Sequence, residues 1–187
     1  MAILKLVRAA HGVSALNLLC QNGLFIDFGV IIRCVNDCRM EIYFLLEEFP
    51  NSSANVDQFV KAFFESTIDG YLIAETHTVQ SNKIRNAMVR VLKNQHDEKT
   101  KEVIDRIYKT FSGYVHANYA HVMEVYNGMT RDFNLAGVPD ARQRQIRIEH
   151  VELAANAVLQ MTAYIASTLG MTDLFREIIE SWRSKSD

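Results

Sequence analysis

Proline is nearly absent: the 187 residues hold two, Pro50 and Pro139. A proline inside a helix costs about 3 kcal/mol, and both of these stand where a helical pattern stops. Cysteine is scarce and odd in number, with only Cys20, Cys34 and Cys38. That argues against a disulfide framework and for a reducing compartment, so a cytoplasmic location is expected. Strong charge of either sign is also missing. Lys and Arg total 20 against 22 Asp and Glu, a formal net charge of -2, so bulk charge advertises no polyanion partner, though a local basic patch stays open.

Several chemical signatures are lacking as well. The chain has no P-loop, no Gly-x-Gly-x-x-Gly, no His-Glu-x-x-His, no Cys-x-x-Cys and no Glu-x-x-His. Nucleotide folds and metal centres lose their usual markers, so neither a metal nor a cofactor is expected. The N-terminal run ending in Leu18-Leu19-Cys20 is broken by Lys5, Arg8 and His11, and Leu19 is bulky where a lipoprotein-type site wants a small residue. No stretch reads as long and charge-free enough to span a bilayer, and no membrane partner is expected.

What remains is an ordinary globular composition, 49% apolar and 22% charged, suited to one domain over 1–187. A first helix runs from about Ile3 to Cys20 with Ile3, Val7, Ala10 and Ser14 on one side, closed by Gly23 in the left-handed capping position. The second, about Leu24 to Glu48, is apolar nearly all round, which marks a central, buried helix. A third starts near Asn55, and its apolar pattern runs on past Gly70 through Tyr71-Leu72-Ile73. A fourth spans Asn82 to about Asn94, and Gln95-His96-Asp97 is a polar turn. The fifth carries Val103, Ile107, Tyr108 and Phe111, is interrupted around Ser112-Gly113, and resumes to Tyr126. Met129 to Pro139 is a loop or short hairpin. Asp140 caps a long helix to Leu169, and a last amphipathic helix runs from Thr172 to about Ser184. The fold expected is all-α, a compact bundle of about six to eight helices around the buried second helix.

Three polar features stand out. On the second helix Arg33, Asp37 and Glu41 recur every four residues, with Asn36 beside them, and so form one ridge. Burying such charges is costly unless they are paired. The ridge is therefore either an internal ion pair that pins helix packing or the lining of a pocket that holds a histidine or a phosphate. The second feature is Tyr114-Val115-His116-Ala117-Asn118-Tyr119, followed by His121, Glu124 and Tyr126. Histidine suits proton transfer near neutral pH, so His116 joins Arg33 and Asp37 as a candidate catalytic group. Asn118, Tyr119, His121 and Glu124 are candidate binding groups. The alternative is a set of hydrogen-bonded core residues. Third, Arg142, Arg144 and Arg147 open the long helix against the preference of its dipole. There Arg142 and Arg144 would meet phosphate or a neighbouring subunit, or else form a solvated face.

Two of these blocks carry a resemblance. Ile31-Ile32-Arg33-Cys34-Val35-Asn36-Asp37 ahead of Ile42-Tyr43-Phe44-Leu45-Leu46, with Tyr114-Val115-His116-Ala117-Asn118-Tyr119 later, resembles bacterial helical proteins of the broad HEPN class (higher eukaryotes and prokaryotes nucleotide-binding). The resemblance covers Leu4 to Tyr126. It implies a homodimer acting on RNA as a metal-independent ribonuclease of toxin–antitoxin or antiphage systems. Histidine would then serve as acid or base on the 2′-hydroxyl or leaving oxygen, and arginine would stabilise the phosphorane charge. The class motif, Arg, four to six residues, then His, is met by Arg90 to His96 and by Arg144 to His150. His116 has no arginine at that distance before it, which is a departure from the class. Three readings stay open: a HEPN-like RNA-acting protein, a non-catalytic interaction module, and a binder of an unidentified small ligand in an aromatic pocket.

Overall fold

The computed structural model describes residues 1–65, 67–68, 71–72, 79–93 and 97–183. The chain is 79% helical, with eight α-helices among the described residues and almost no strand, as the shortage of proline suggests. In order these are α1 (Ala2–Gln21), α2 (Phe25–Leu46), α3 (Ala54–Glu65), α4 (Ser81–Lys93), α5 (Glu98–Val115), α6 (Tyr119–Val122), α7 (Ala141–Thr168) and α8 (Thr172–Arg183). Strands β1 (Thr67–Ile68) and β2 (Tyr71–Leu72) pair antiparallel, as do β3 (Tyr126–Asn127) and β4 (Asp132–Phe133).

α2 is the axis, packing on α1, α4, α5 and α7. On one side its Phe28, Ile32, Val35 and Ile42 meet Leu16 of α1 and Met161 and Ile165 of α7. On the other, Met40, Tyr43 and Phe44 meet Met88 and Val89 of α4 and Ile104 of α5. Each such side chain contributes about 1.5–3 kcal/mol on burial, so α2 ties two cores together. The helix ends follow local chemistry. Gly23 turns the chain with φ +68, Asp97 accepts from Thr100 N at 2.9 Å to start α5, and Asp140 accepts from Arg142 N at 2.8 Å to start α7.

Four expectations need correction. The third helix stops at Glu65, and Thr67–Ile68 pairs antiparallel with Tyr71–Leu72 instead; Gly70, Ile73, Asn94, Gln95, His96 and Ser184 lie outside the described residues. α5 passes through Ser112-Gly113 unbroken and ends at Val115, with the chain turning at Ala117, φ 49. The row Ile3, Val7, Ala10 and Ser14 is the outer side of α1, whereas Ala9, Gly12, Leu16 and Cys20 face the core. Finally, α1 is long and apolar enough to cross a membrane by length and composition alone. Here it packs against α2 and α7.

Candidate functional site

The ridge on α2 faces α1, and its charges are paired. Arg33 Nε donates to Asp37 Oδ2 at 2.8 Å, and Lys5 Nζ of α1 lies 2.7 Å from Glu41 Oε2. Arg33 also reaches α5: Nη1 donates to the Tyr108 carbonyl at 2.9 Å, and the guanidinium carbon sits 3.4 Å from the centroid of the Tyr108 ring. Burial pushes the Asp37 and Glu41 carboxyls up, and the Arg33 and Lys5 bonds work against that shift. The pairs are not sealed, since the Asp37 side chain keeps 37% of its exposure. They line an open groove of about 550 Å³, completed by Leu4, Arg8, Val30, Cys34, Phe63 and Val115. Arg8 makes no ion pair among the described residues. Cys34 and Cys38 stand one turn apart, and the Cys38 thiol holds the Cys34 thiol below its usual range, while Cys34 and burial push Cys38 up.

The second block divides in two. His116, Ala117, Asn118 and Tyr119 form an exposed turn after α5, with Tyr119 79% exposed. No contact joins His116 to Arg33 or Asp37, although its neighbour Val115 lines their groove. Tyr114, His121 and Glu124 turn inward together. The Tyr114 hydroxyl donates to Glu124 Oε1 at 2.6 Å, and Arg147 Nη2 of α7 donates to Glu124 Oε2 at 2.5 Å. The Tyr114 and His121 rings stand 4.1 Å apart. Burial, then the bond to Glu124, pushes the Tyr114 hydroxyl up. Two glycines make room for this cluster. A Cβ on Gly29 would fall 2.2 Å from the Tyr114 ring, and one on Gly113 would fall 2.2 Å from His121.

The arginines of α7 separate. Arg142 is exposed; Arg144 is half-buried, its carbonyl accepting from the Cys20 thiol at 3.6 Å. Arg147 holds Glu124 and lies 4.0 Å from the Phe25 ring centroid. Of the Arg-to-His spacings, Arg90 Nη2 donates to Glu47 at 2.8 Å, while His96 lies outside the described residues. Arg144 makes no contact with His150, which instead meets Phe111 across a cleft between α2, α5 and α7. That cleft, of about 370 Å³, also holds Asn36, Arg39, Asn156 and Gln160. Among the described residues no group of three or more His, Cys, Asp or Glu is placed to hold a metal ion.

Sequence spacing found the Arg33–Asp37 pair because four residues is one helical turn. It missed Lys5, Arg8 and Arg39 as site members, and named Arg147 only in the helix-start arginine cluster and His150 only in the Arg-to-His spacing. For Arg147 the only available signal was the helix-start arginine cluster, and for Arg39 its three-residue offset from Asn36. Comparison with family models, curated proteins and solved structures finds no match to this chain.

Proposed function

We propose that this chain is a HEPN-like helical protein that acts on RNA without a metal, and that the phosphodiester lies in the α1–α2 groove. One observation carries the reading: the Arg33–Asp37 pair opens onto a groove of about 550 Å³ beside Arg8, which makes no ion pair among the described residues, rather than closing inside the core. A phosphate gains most from guanidinium donors that are held in place before it arrives. In this reading His116 takes the 2′-hydroxyl proton as that oxygen attacks phosphorus. The departing 5′ oxygen takes its proton from water, leaving a 2′,3′-cyclic phosphate, while Asp37, ionised against Arg33, holds that guanidinium in place. Arg8 and Arg33 balance the charge of the phosphorane. The exposed row Ile3, Val7, Ala10, Ser14 and Leu18 on α1 supports a homodimer built on that face. Arg142 and Arg144 extend the cationic surface toward the nucleic acid, and Asn118 and Tyr119 offer a hydrogen-bonding and stacking turn.

A second reading, a non-catalytic interaction module, draws on the Arg33 bond and ring contact to Tyr108, which make Arg33 a brace between α2 and α5. The test is cleavage of mixed cellular RNA by the purified chain in EDTA, beside Arg8→Ala, Arg33→Lys, Asp37→Asn and His116→Ala variants that stay folded by circular dichroism. The RNA reading expects metal-free cleavage that His116→Ala lowers by about 100-fold or more, the scale of one acid–base group. No cleavage at high protein concentration favours the module.

A further inference from the structure

We propose that the cleft between α2, α5 and α7 is a second binding site, one that takes a small monoanionic carboxylate with an apolar body. The cleft has the make-up of such a site: an apolar floor of Ile32, Val35, Ala154 and Ala157, with a few polar groups converging on it. Its volume, about 370 Å³, suits a small molecule and excludes a polymer.

The anion is argued from Arg39. Of the half-buried arginines, Arg33, Arg85 and Arg147 each have a carboxylate partner in Asp37, Asp105 and Glu124, whereas Arg39 and Arg144 have none among the described residues, and of those two only Arg39 lines the cleft. Arg39 has only a neutral one: Nη2 donates to Gln160 Oε1 at 2.7 Å. Its Nε is buried with no acceptor among the described residues, and a half-buried cation left in that state costs free energy that an anion would recover. Among the described residues no Asp, Glu or Lys lines the cleft, so none competes for that donor. The count of charge sets the ligand class. Arg39 supplies one positive charge, and His150 stays neutral because burial and the nearby Arg147 hold its pKa down. One charge matches a carboxylate, while a phosphate monoester would bring close to two. The Nε and Nη2 edge of a guanidinium also fits the two oxygens of a carboxylate side by side, with Gln160 giving way. The apolar body then lies between Phe111 and the α2 floor, where the exposed rim residues Ile107 and Leu153 cover it.

The site is independent of the groove, so it stands or falls apart from the RNA reading. The test is titration of the full ¹⁵N-labelled chain with 4-phenylbutyrate, octanoate and indole-3-acetate, each beside its neutral amide. The readout is the ¹H–¹⁵N resonance of Arg39 Nε and the dissociation constant. The expected result is a saturable shift with at least one acid, its amide binding about tenfold weaker or worse. Arg39→Lys loses the planar fork and weakens binding about fivefold or more. Leu153→Asp, at a rim position 64% exposed and so harmless to folding, does the same by repelling the anion. The proposal is overturned by the lack of a saturable shift up to about 10 mM, the range open to ligands of this size. It is equally overturned by equal affinity for acid and amide, or by wild-type affinity in both variants.

Discussion

The two sides of α2 treat their charges in opposite ways. Toward α1, Arg33 and Lys5 are matched by Asp37 and Glu41, and Arg33 also braces Tyr108. Toward α5 and α7, Arg39 is held by an amide oxygen and keeps a buried donor without a partner. One helix thus carries a settled ionic ridge and, about half a turn away, an arginine whose solvation is incomplete. Burial alone does not separate them. What separates them is whether a carboxylate stands within reach, as Asp37 does for Arg33 one turn along α2, and this makes the first side legible as structure with an open mouth and the second as an unfilled site.

The comparison breaks most sharply on stability. Arg33→Met strands Asp37 and removes the tie to Tyr108, and should cost about 2–3 kcal/mol in urea unfolding. That is less than a fully sealed pair loses, because Asp37 keeps contact with water. The cluster braced by Gly29 comes next. Gly29→Ala forces a methyl into the Tyr114 ring, and should cost about 1–3 kcal/mol, read the same way. Arg39→Met removes a charge that no carboxylate compensates, so its change should stay within about 1 kcal/mol of zero and can be stabilising. A loss as large as that of Arg33→Met would show that the two sides are alike.

Two smaller effects sharpen the contrast through titration. On the ridge side, the neighbouring Cys38 thiol lowers the Cys34 pKa and Cys20 is buried, so iodoacetamide near pH 7 should label Cys34 before Cys20. Cys38→Ala should slow that labelling several-fold by mass spectrometry. On the cleft side, burial and then Arg147 lower the His150 pKa. The unfolded chain therefore takes up this proton first as the medium is acidified, and His150 stabilises the fold above about pH 6.5. That contribution is lost as pH falls through the lowered folded value. His150→Gln should flatten the decline in urea stability between about pH 7 and pH 5.

Much of the fold was legible from local pattern. The scarcity of proline, the apolar run of α2 and the Asp140 cap each act within a few residues of themselves, and the all-α bundle around α2 follows from them. The Arg33–Asp37 pair was legible for the same reason. What stayed hidden depends on contacts far apart in the chain. Arg147 finds Glu124 across 23 positions, and Arg39 finds Gln160 across 121. Gly113 looked like an interruption of α5, yet its missing side chain admits His121, which no helical periodicity reports. The outer row of α1 misled in the same way, because spacing shows that Ile3 and Val7 share a side and not which side meets the core.

The most direct test of the division between the two sides is binding of a labelled single-stranded RNA oligonucleotide in EDTA, followed by fluorescence anisotropy. Wild-type chain is compared with Arg8→Ala in the groove and Arg39→Met in the cleft. The account predicts that Arg8→Ala weakens binding about fivefold or more, in line with loss of one phosphate contact, while Arg39→Met leaves it unchanged. RNA binding that ignores Arg8 and falls with Arg39, or no binding at all, would contradict it.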